Sequence, residues 1–360
     1  MTFAQPFSDY EILDRVGSGA MGTVFKARHK RLNRLVALKV LKPSLARNKR
    51  YVDRLRREAR IVAKLSHANI VSGYDLGEEG GYHFFVMEFV HGKSLKEMLG
   101  EWGSFPQDRV LDLGMQASAA LVHAHQQGVI HRDIKPGNIL IDEQNRVKLT
   151  DMGLAKGPTD VTITRAGSTV GTPQYISPEQ ARNPQGVDIR SDLYSLGATL
   201  FHMATGVPPF HGETMAEVIA KVLNERAPLA SGFNPDVTAD FSLVIRKLLA
   251  KDPELRYQTP ADLLEDLGRV AREESPRVDP RGLDQEEIGG SVKRVQSHRL
   301  VWPIAGVAVA TIAAVSVILM GETANESKAA GVEWAISLRQ SLDDAQDHRE
   351  RFAILAGAEA

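Results

Sequence analysis

The residues whose types and spacing best fit a chemical reaction lie in two polar loops between positions 131 and 151. Residues 131–138 read HRDIKPGN and are followed by an apolar run at 139–141, and Asp151 opens the second loop. Asn138 and Asp151 offer the hard oxygen ligands that Mg²⁺ prefers. Asp133 is then the carboxylate left to accept a proton from a hydroxyl group. A turn that is merely rich in polar side chains explains this order of residues poorly.

A glycine-rich segment near the N-terminus could bind phosphate groups. Residues 17–24 read GSGAMGTV and lie between two strand-like runs. Glycine lets the backbone approach phosphate oxygens without a Cβ clash, and the N–H groups of such a loop can bind anions. The segment alone is equally typical of an ordinary glycine-rich hairpin. A dinucleotide-binding fold is disfavoured, because no helix with a later ribose-binding acid follows.

A lysine and a glutamate interrupt apolar patterns further along the chain. Lys39 ends the run VALK at 36–39, where an unpaired charge is costly to bury. Glu58 lies in a predicted helix over 50–65, on the same side as the apolar stripe of that helix. We therefore predict an ion pair between Lys39 and Glu58. The stripe consists of Val52, Leu55, Ala59 and Val62.

Two regions of different secondary structure must position these residues. Strand-like alternation dominates the first part of the chain, interrupted by the helix over 50–65, and helical periodicity dominates after residue 94. This order predicts an α+β fold in which a strand-rich lobe precedes a larger, mainly helical lobe. The predicted strands are 10–16, 22–27, 35–41 and 84–90.

The ordered set of motifs resembles the eukaryotic-like (Hanks-type) serine/threonine protein kinases of the membrane-anchored bacterial kind. The resemblance covers residues 8–273 and implies a bilobal protein kinase fold, with an N-lobe over 8–90 and a C-lobe over 91–273. The motifs are the glycine-rich loop, Lys39, Glu58, the HRDxxxxN loop, Asp-Met-Gly at 151–153 in place of Asp-Phe-Gly, and GTPQYISPE at 171–179.

The resemblance implies where ATP binds. The glycine-rich loop would cover the phosphates, Lys39 held by Glu58 would bind the α- and β-phosphates, and Met87 would be the gatekeeper. The residues implied for the nucleotide site are Gly17, Ser18, Gly19, Ala20, Met21, Gly22, Val24, Ala37, Lys39, Met87, Glu88 and Val90. Among them Val24 and Ala37 would pack on the adenine ring, and the backbone of the last two would bind its edge.

The resemblance also implies how phosphate is transferred. Asp133 would orient and deprotonate the substrate hydroxyl, Asn138 and Asp151 would hold Mg²⁺, and Lys135 would lie near the γ-phosphate. Lys135 and Thr172 resemble the serine/threonine class rather than the tyrosine class. The implied function is ATP-dependent phosphorylation of Ser and Thr hydroxyls in proteins. The alternative is a nucleotide-binding pseudokinase scaffold, which the complete catalytic set disfavours.

Other matching residues have structural roles in the family. Glu179 would pair with a late arginine, Arg256, and Asp192 would cap the backbone of the catalytic loop. Met152 replaces the usual phenylalanine, and methionine is the more flexible side chain. The hydrophobic stack expected between the lobes consists of His131, Met152, Val62 and Tyr74.

Composition limits the classes of site and partner. Lys+Arg is 44 and Asp+Glu is 45, so the formal net charge is −1, which argues against nucleic acid held by bulk charge. Cys is 0, which excludes disulfides, catalytic thiolates and cysteine metal sites. A chain of 360 residues with 43% hydrophobic residues can form one large domain with appendages.

The appendage after residue 273 contains a candidate membrane span. Residues 300–320 carry no charged side chain, and a helix of that length would cross a hydrocarbon core. Basic residues within 293–299 precede it, which predicts a single-pass protein of the plasma or inner membrane with a cytoplasmic kinase domain. We expect a flexible linker over 274–299 and a short extracytoplasmic tail over 321–360.

Phosphorylation of the activation loop is the regulation that the resemblance implies. Arg132 beside Asp133 implies a cationic pocket that could receive a phosphate group. The favoured acceptors are Thr164, Ser168 and Thr169. A homodimer that phosphorylates in trans would fit as well, since relatives often pair through the small lobe.

Overall fold

The computed structural model describes residues 7–19, 21–152, 173–183 and 186–284. Its first lobe is built on a five-stranded antiparallel sheet, and all four predicted strands are present in it. The strands are β1 (Tyr10–Ser18), β2 (Gly22–His29), β3 (Arg34–Leu41), β4 (Gly73–Glu79) and β5 (Tyr82–Glu88). Their order in the sheet is β1-β2-β3-β5-β4, so β3 lies at the centre.

The two faces of this sheet carry different sets of side chains. Lys39 pairs with Val24 on one side and Phe85 on the other, and Ala37 pairs with Met87. Because side chains alternate along a strand, these residues share one face, which is the face predicted to meet ATP. The opposite face carries a separate apolar cluster: Phe7, Tyr10, Ala27, Val36, Leu38, Val40, Phe84 and Val86.

The helix predicted over 50–65 forms as α2 (Lys49–Val62), after the short helix α1 (Pro43–Ala46). Asn48 caps α2, because its side chain accepts a hydrogen bond from the N–H of Arg50. The buried residues of α2 are the four of the predicted apolar stripe together with Glu58. The prediction of an inward-facing glutamate is therefore confirmed.

The second lobe is mainly helical, as predicted, and contains one small sheet. The sheet consists of β6 (Gly92–Ser94), β7 (Ile139–Asp142) and β8 (Val147–Leu149). Helix α6 is buried along nearly its whole length, which makes it the centre of this lobe. The helices are α3 (Leu95–Trp102), α4 (Gln107–Gln126), α5 (Pro178–Arg182), α6 (Ile189–Thr205), α7 (Met215–Asn224), α8 (Ala239–Leu248) and α9 (Pro260–Ala271).

The end of the described chain is packed on this lobe and includes the short helix α10 (Pro280–Asp284). The N–H of Arg277 donates to buried Asp266 at 2.9 Å, and Leu283 is only 5% exposed. The prediction of a flexible linker over 274–299 is therefore wrong up to Asp284. Charge, proline and glycine suggested a solvated chain, but a buried carboxylate and an apolar contact hold it in place.

The predicted membrane span, 300–320, and the predicted tail, 321–360, lie outside the described residues. Within the described ranges, no helix combines the length and apolar character that crossing a bilayer requires.

Candidate active site

Lys39 lies between two carboxylates where the large sheet, helix α2 and the second polar loop meet. Its Nζ donates to Oε1 of Glu58 and to Oδ1 of Asp151, and both distances are 2.8 Å. Lys39 is 8% exposed and Glu58 is 1% exposed. The predicted Lys39–Glu58 ion pair is confirmed. The second bond joins the same lysine to a predicted magnesium ligand.

Burial and charge act in opposite directions on these three groups. Burial raises the pKa of Glu58 to about 7, and the Lys39 ammonium opposes that rise only in part. Burial alone would lower the pKa of Lys39, but the two carboxylates outweigh it and raise that pKa. Burial alone would raise the pKa of Asp151, but Lys39 outweighs it and holds that pKa low. The three groups therefore form one coupled cluster, in which the single ammonium of Lys39 offsets the burial of two carboxylates.

The catalytic loop brings Asp133, Lys135 and Asn138 within hydrogen-bond distance of one another. Nζ of Lys135 donates to Oδ2 of Asp133 at 2.7 Å. Nδ2 of Asn138 donates to the same oxygen and to the backbone carbonyl of Asp133, each at 2.8 Å. Two donors on Oδ2 orient the carboxylate, so Oδ1 is the oxygen that can take a proton from a hydroxyl group.

Asp192, on helix α6, holds the backbone of the catalytic loop, as predicted. Its carboxylate accepts hydrogen bonds from the N–H groups of His131 (2.7 Å) and Arg132 (2.6 Å). Arg132 has a φ of 66° and Asp151 a φ of 59°, which is uncommon for residues other than glycine. A ring nitrogen of His131 lies 3.0 Å from the carbonyl oxygen of Thr150, which ties this loop to the residue before Asp151.

The glycines of the loop between β1 and β2 have different surroundings. A Cβ on Gly22 would overlap the carbonyl oxygen of Val40, so glycine allows β2 and β3 to approach closely here. No described atom lies within 4 Å of the corresponding Cβ position at Gly17 or Gly19, which leaves space for phosphate oxygens. Of the other predicted loop residues, Ser18 and Met21 are described and Ala20 is not.

The predicted adenine-facing residues lie together on the sheet face that carries the lysine. Ala37 and Met87 are opposite each other on β3 and β5, and each is 7% exposed. Val24 lies on the same face, one strand away. Glu88 ends β5, and Val90 follows it in the connection between the two lobes.

Three of the four residues predicted for the hydrophobic stack are buried, and the prediction for Tyr74 is wrong. His131 is 0% exposed, Met152 is 1% exposed and Val62 is 4% exposed, whereas Tyr74 is 37% exposed. A Cβ on Gly73 would contact Val62, so this residue faces the α2 side of the sheet. The pairing of β4 is irregular between Gly73 and Asp75, and the ring of Tyr74 packs on the guanidinium of Arg34 at 4.0 Å instead of in the stack.

The predicted ion pair between Glu179 and Arg256 is confirmed as a two-armed contact. Nη1 and Nη2 of Arg256 donate to Oε1 and Oε2 of Glu179 at 2.7 and 2.9 Å, and the hydroxyl of Ser191 donates to Oε1 at 2.5 Å. Burial alone would raise the pKa of Glu179, but the hydrogen bonds and charge of Arg256 lower it. The pair fixes α5 to the helical lobe.

Residues 10–266 match the family model of the protein kinase domain. The chain belongs to the protein kinase family.

The kinase domain is similar to that of bacterial relatives. Over 258 residues it is 42% identical to the serine/threonine-protein kinase PrkC of Bacillus subtilis, covering 72% of this chain and 40% of that protein. Over 294 residues it is 41% identical to the serine/threonine-protein kinase PknB of Mycobacterium tuberculosis, and this match covers 80% of this chain and 47% of that protein. The crystal structure of the M. tuberculosis PknI kinase domain matches with a TM-score of 0.59 and 27% identity, covering 74% of this chain and 97% of that one. The matches span less than half of the length of the two curated relatives.

The kinase domain contains a hinge contact that the sequence analysis missed. Nζ of Lys148, on β8, lies 2.6 Å from Oε1 of Glu88, and the N–H of Ser72 donates to Oε2 of Glu88 at 3.1 Å. The pair links the predicted adenine-binding segment to the strand that leads to Asp151. Lys148 lies inside a short apolar strand, as Lys39 does, and this position could have indicated a buried partner for its charge.

The predicted phosphate acceptors of the kinase activation loop, Thr164, Ser168 and Thr169, lie outside the described residues, as does Thr172.

Proposed function

We propose that this protein is a serine/threonine protein kinase that transfers the γ-phosphate of ATP to Ser and Thr hydroxyl groups of proteins. The observation that carries the proposal is the meeting of two sets of charged residues, one around Lys39 and one around Asp133. The two sets adjoin, because the N–H of Thr150, next to Asp151, donates to the carbonyl oxygen of Asn138 at 3.0 Å. Phosphoryl transfer needs little more from a protein than positioning and neutralisation of phosphate charge.

The side chains of this site divide the work of the reaction. Lys39 binds the α- and β-phosphates, and Glu58 and Asp151 keep its ammonium group in the cleft. Asp133 orients the acceptor hydroxyl and accepts its proton at Oδ1. Lys135, already bound to Asp133, places a positive charge beside the γ-phosphate, where negative charge develops.

Two oxygen ligands in the cleft, from Asn138 and Asp151, fit a magnesium ion. Asn138 uses its amide nitrogen for Asp133, so its amide oxygen is the atom that a cation can bind. Asp151 adds a carboxylate whose pKa is lowered by Lys39 although burial opposes this. Mg²⁺ is commonly held by one or two such groups together with substrate phosphates. When bound, it neutralises charge on the phosphate oxygens.

The choice of Ser and Thr as acceptors rests on two observations. Lys135, two residues after Asp133, resembles the serine/threonine class, and the relatives PrkC and PknB are named serine/threonine-protein kinases. The pseudokinase alternative needs at least one defective catalytic position. Lys39, Glu58, Asp133 and Asn138 all carry the residue types of an active enzyme.

Phosphate incorporation tests the proposal. The full-length protein and its Asp133→Asn variant are incubated with ATP and Mg²⁺, and incorporation is followed by intact-mass spectrometry. We expect incorporation in the parent and a rate lower by ~100-fold or more in Asp133→Asn, because the general base is lost. Asp236→Asn, the same substitution at an exposed position, should match the parent. ATP binding by the parent without any incorporation would favour the pseudokinase scaffold.

We further propose that the activation loop is the first acceptor, at Thr164, Ser168 or Thr169, and that transfer occurs in trans within a homodimer. Several hydroxyls close together in sequence and the cationic Arg132 beside Asp133 support this proposal. Mixing the parent with Asp133→Asn should place phosphate on the loop of the inactive chain. Phosphate confined to the parent chain would contradict transfer in trans, and an active enzyme with an unmodified loop would contradict these acceptors.

We also propose that residues 300–320 cross the plasma or inner membrane once, with the kinase domain in the cytoplasm. The uncharged sequence of the segment and the basic residues within 293–299 support this topology. The full chain should fractionate with membranes, and deletion of 300–320 should release it. Protease added to the outside of spheroplasts should remove only the tail over 321–360. A full chain in the soluble fraction would contradict the proposal.

A further inference from the structure

The backbone carbonyl of Arg132 is bound by a side chain that the reaction scheme does not yet include. Nε2 of Gln180 donates to this carbonyl oxygen at 2.9 Å. Gln180 lies on helix α5, far along the chain from the catalytic loop. The bond therefore joins the catalytic loop to helix α5.

The bond is placed at the most strained point of the catalytic loop. Arg132 has a φ of 66°, and a residue with a Cβ adopts this conformation only when its surroundings hold it there. The N–H of Arg132 is bound by Asp192 at 2.6 Å, and its carbonyl is bound by Gln180. The carbonyl belongs to the peptide bond that leads into Asp133, whose N–H lies 3.3 Å from Nδ1 of His131. Both peptide groups that flank Arg132 are thus held by side chains.

The residue type at position 180 is explained by this bond rather than by helix capping. Oε1 of Gln180 accepts the N–H of Ser177 at 3.0 Å, which completes a capping box at the start of α5. A carboxylate completes such a box equally well, as Glu97 does in α3 and Asp262 does in α9. An amide, unlike an ionised carboxylate, can accept from Ser177 and also donate to the Arg132 carbonyl.

Gln180 can act as a fixed support because its helix is anchored. The preceding residue, Glu179, binds both arms of Arg256 at 2.7 and 2.9 Å, and Arg256 is 2% exposed. Ser191, on α6, donates to the same carboxylate. The backbone of α5 is therefore tied to the helical lobe, and the amide of Gln180 extends from it to the catalytic loop.

We propose that Gln180 is a positioning residue that holds the peptide group between Arg132 and Asp133 and thereby sets the orientation of the Asp133 carboxylate. Gln180 acts on the reaction only through Asp133. The kinetic test of this inference rests on the proposed kinase activity. A second test, by hydrogen exchange, needs only the structure of the loop.

The variant Gln180→Glu gives the sharpest test. It keeps the size of the side chain and the acceptor for Ser177, but it places a carboxylate oxygen against the Arg132 carbonyl. We expect kcat for phosphoryl transfer to fall by ~10-fold or more, since a lost hydrogen bond becomes a repulsion. The KM for ATP should stay unchanged, because no nucleotide contact is altered. The matched control is Glu97→Gln, the reverse exchange in the exposed capping box of α3, which should leave kcat and KM at the parent values.

The pH profile separates positioning from a general structural role. A protonated carboxylic acid can donate a hydrogen bond again. The ratio of the variant kcat to the parent kcat should therefore rise as the pH is lowered toward the pKa of the new carboxyl group. A loss of activity with the same ratio at every pH, or a loss that appears in the KM for ATP, would overturn the inference.

Hydrogen exchange of the full-length chains provides a readout that needs no catalysis. Peptides that cover 129–138 should exchange faster in Gln180→Glu than in the parent and in Glu97→Gln. Faster exchange in Gln180→Glu, found together with a parent protein that transfers no phosphate, would overturn the proposed function and still support the role of Gln180. Unchanged exchange together with an unchanged kcat in Gln180→Glu would overturn the role of Gln180 alone.

Discussion

Two glutamate–cation pairs, one in each lobe, have similar distances but opposite shifts in the pKa of the glutamate. Glu58 lies 2.8 Å from Lys39 in the sheet lobe, and Glu179 lies 2.7 Å from Arg256 in the helical lobe. Burial tends to raise the pKa of both glutamates. For Glu58 burial is the larger effect and raises the pKa to about 7. For Glu179 the hydrogen bonds and charge of Arg256 outweigh burial and lower the pKa.

The difference lies in how many donors each carboxylate has and how they are shared. Glu179 accepts two bonds from Arg256 and one from Ser191. Glu58 accepts one bond from Lys39, which also serves Asp151, and its second oxygen is buried without a hydrogen-bond partner among the described residues. A bidentate arginine satisfies a buried carboxylate, while one ammonium shared by two carboxylates does not. In the helical lobe the carboxylate of Glu179 thus has three donors, whereas in the cleft one ammonium group serves the two carboxylates of Glu58 and Asp151.

Removal of the structural cation should produce the largest loss of stability. Arg256→Ala leaves Glu179 partly buried without its partner, so we expect the free energy of unfolding to fall by about 3–5 kcal/mol. Urea denaturation of parent and variant measures this loss. Arg256→Lys keeps the charge without the planar fork, and it should give an intermediate loss. A loss below about 1 kcal/mol for Arg256→Ala would remove the distinction between the two pairs.

Removal of the cation in the cleft should affect activity more than stability. Lys39→Met should lower the rate of phosphoryl transfer by ~100-fold or more, because charge stabilisation at the phosphates is lost. Its unfolding free energy should fall less than that of Arg256→Ala, since Glu58 can become protonated near neutral pH. Rates of phosphate incorporation and urea midpoints of the two variants provide the comparison. Equal losses of stability would contradict it.

The two glutamates should also give opposite pH dependences. The folded-state pKa of Glu58 lies above the unfolded value of about 4.3, so the folded state favours the protonated form. Its contribution to stability is fully present below the unfolded pKa and is lost as the pH rises through about 7. Glu179 has a lowered pKa, so its contribution is present above the unfolded pKa and is lost as the pH falls through the folded value.

Unfolding free energies measured from pH 4 to 8 test these signs. The parent should lose stability relative to Glu58→Gln as the pH rises, by at most ~1.4 kcal/mol per pH unit. Relative to Glu179→Gln, it should lose stability as the pH falls toward 4. The same slope in both comparisons would show that the two carboxylates have similar environments.

The sequence predicted contacts where a charge interrupts an apolar pattern. Lys39 and Glu58 both do so, and their pairing is confirmed because each needs a buried partner. The bond from Lys39 to Asp151 could not be predicted from the sequence pattern, since the two residues are far apart in sequence and only the tertiary fold brings them together. The bond from Gln180 to Arg132 was missed for the same reason, since a glutamine at the start of a helix is explained by capping alone.

Two predictions failed because local composition was a poor guide to burial. Strand β4 reads GYDLGEE, which lacks a clear apolar alternation, so the strand was missed and Tyr74 was assigned to the hydrophobic stack. The segment after residue 273 reads as solvated chain, yet the N–H of Arg277 meets the carboxylate of Asp266, a partner supplied by tertiary packing. Neither the strand β4 nor the packing of the segment after residue 273 leaves a periodic signal in the sequence.

The smallest effect should come from an ion pair that is as short as these two pairs but more exposed to solvent. Nζ of Lys93 lies 2.7 Å from both carboxylate oxygens of Glu101, and the two side chains are 55% and 46% exposed. Solvent screens this pair, so Lys93→Ala should change the free energy of unfolding by about 0.5 kcal/mol or less. The change should shrink further in 1 M salt. A loss near that of Arg256→Ala, insensitive to salt, would mean that distance rather than donor number and burial separates strong pairs from weak ones.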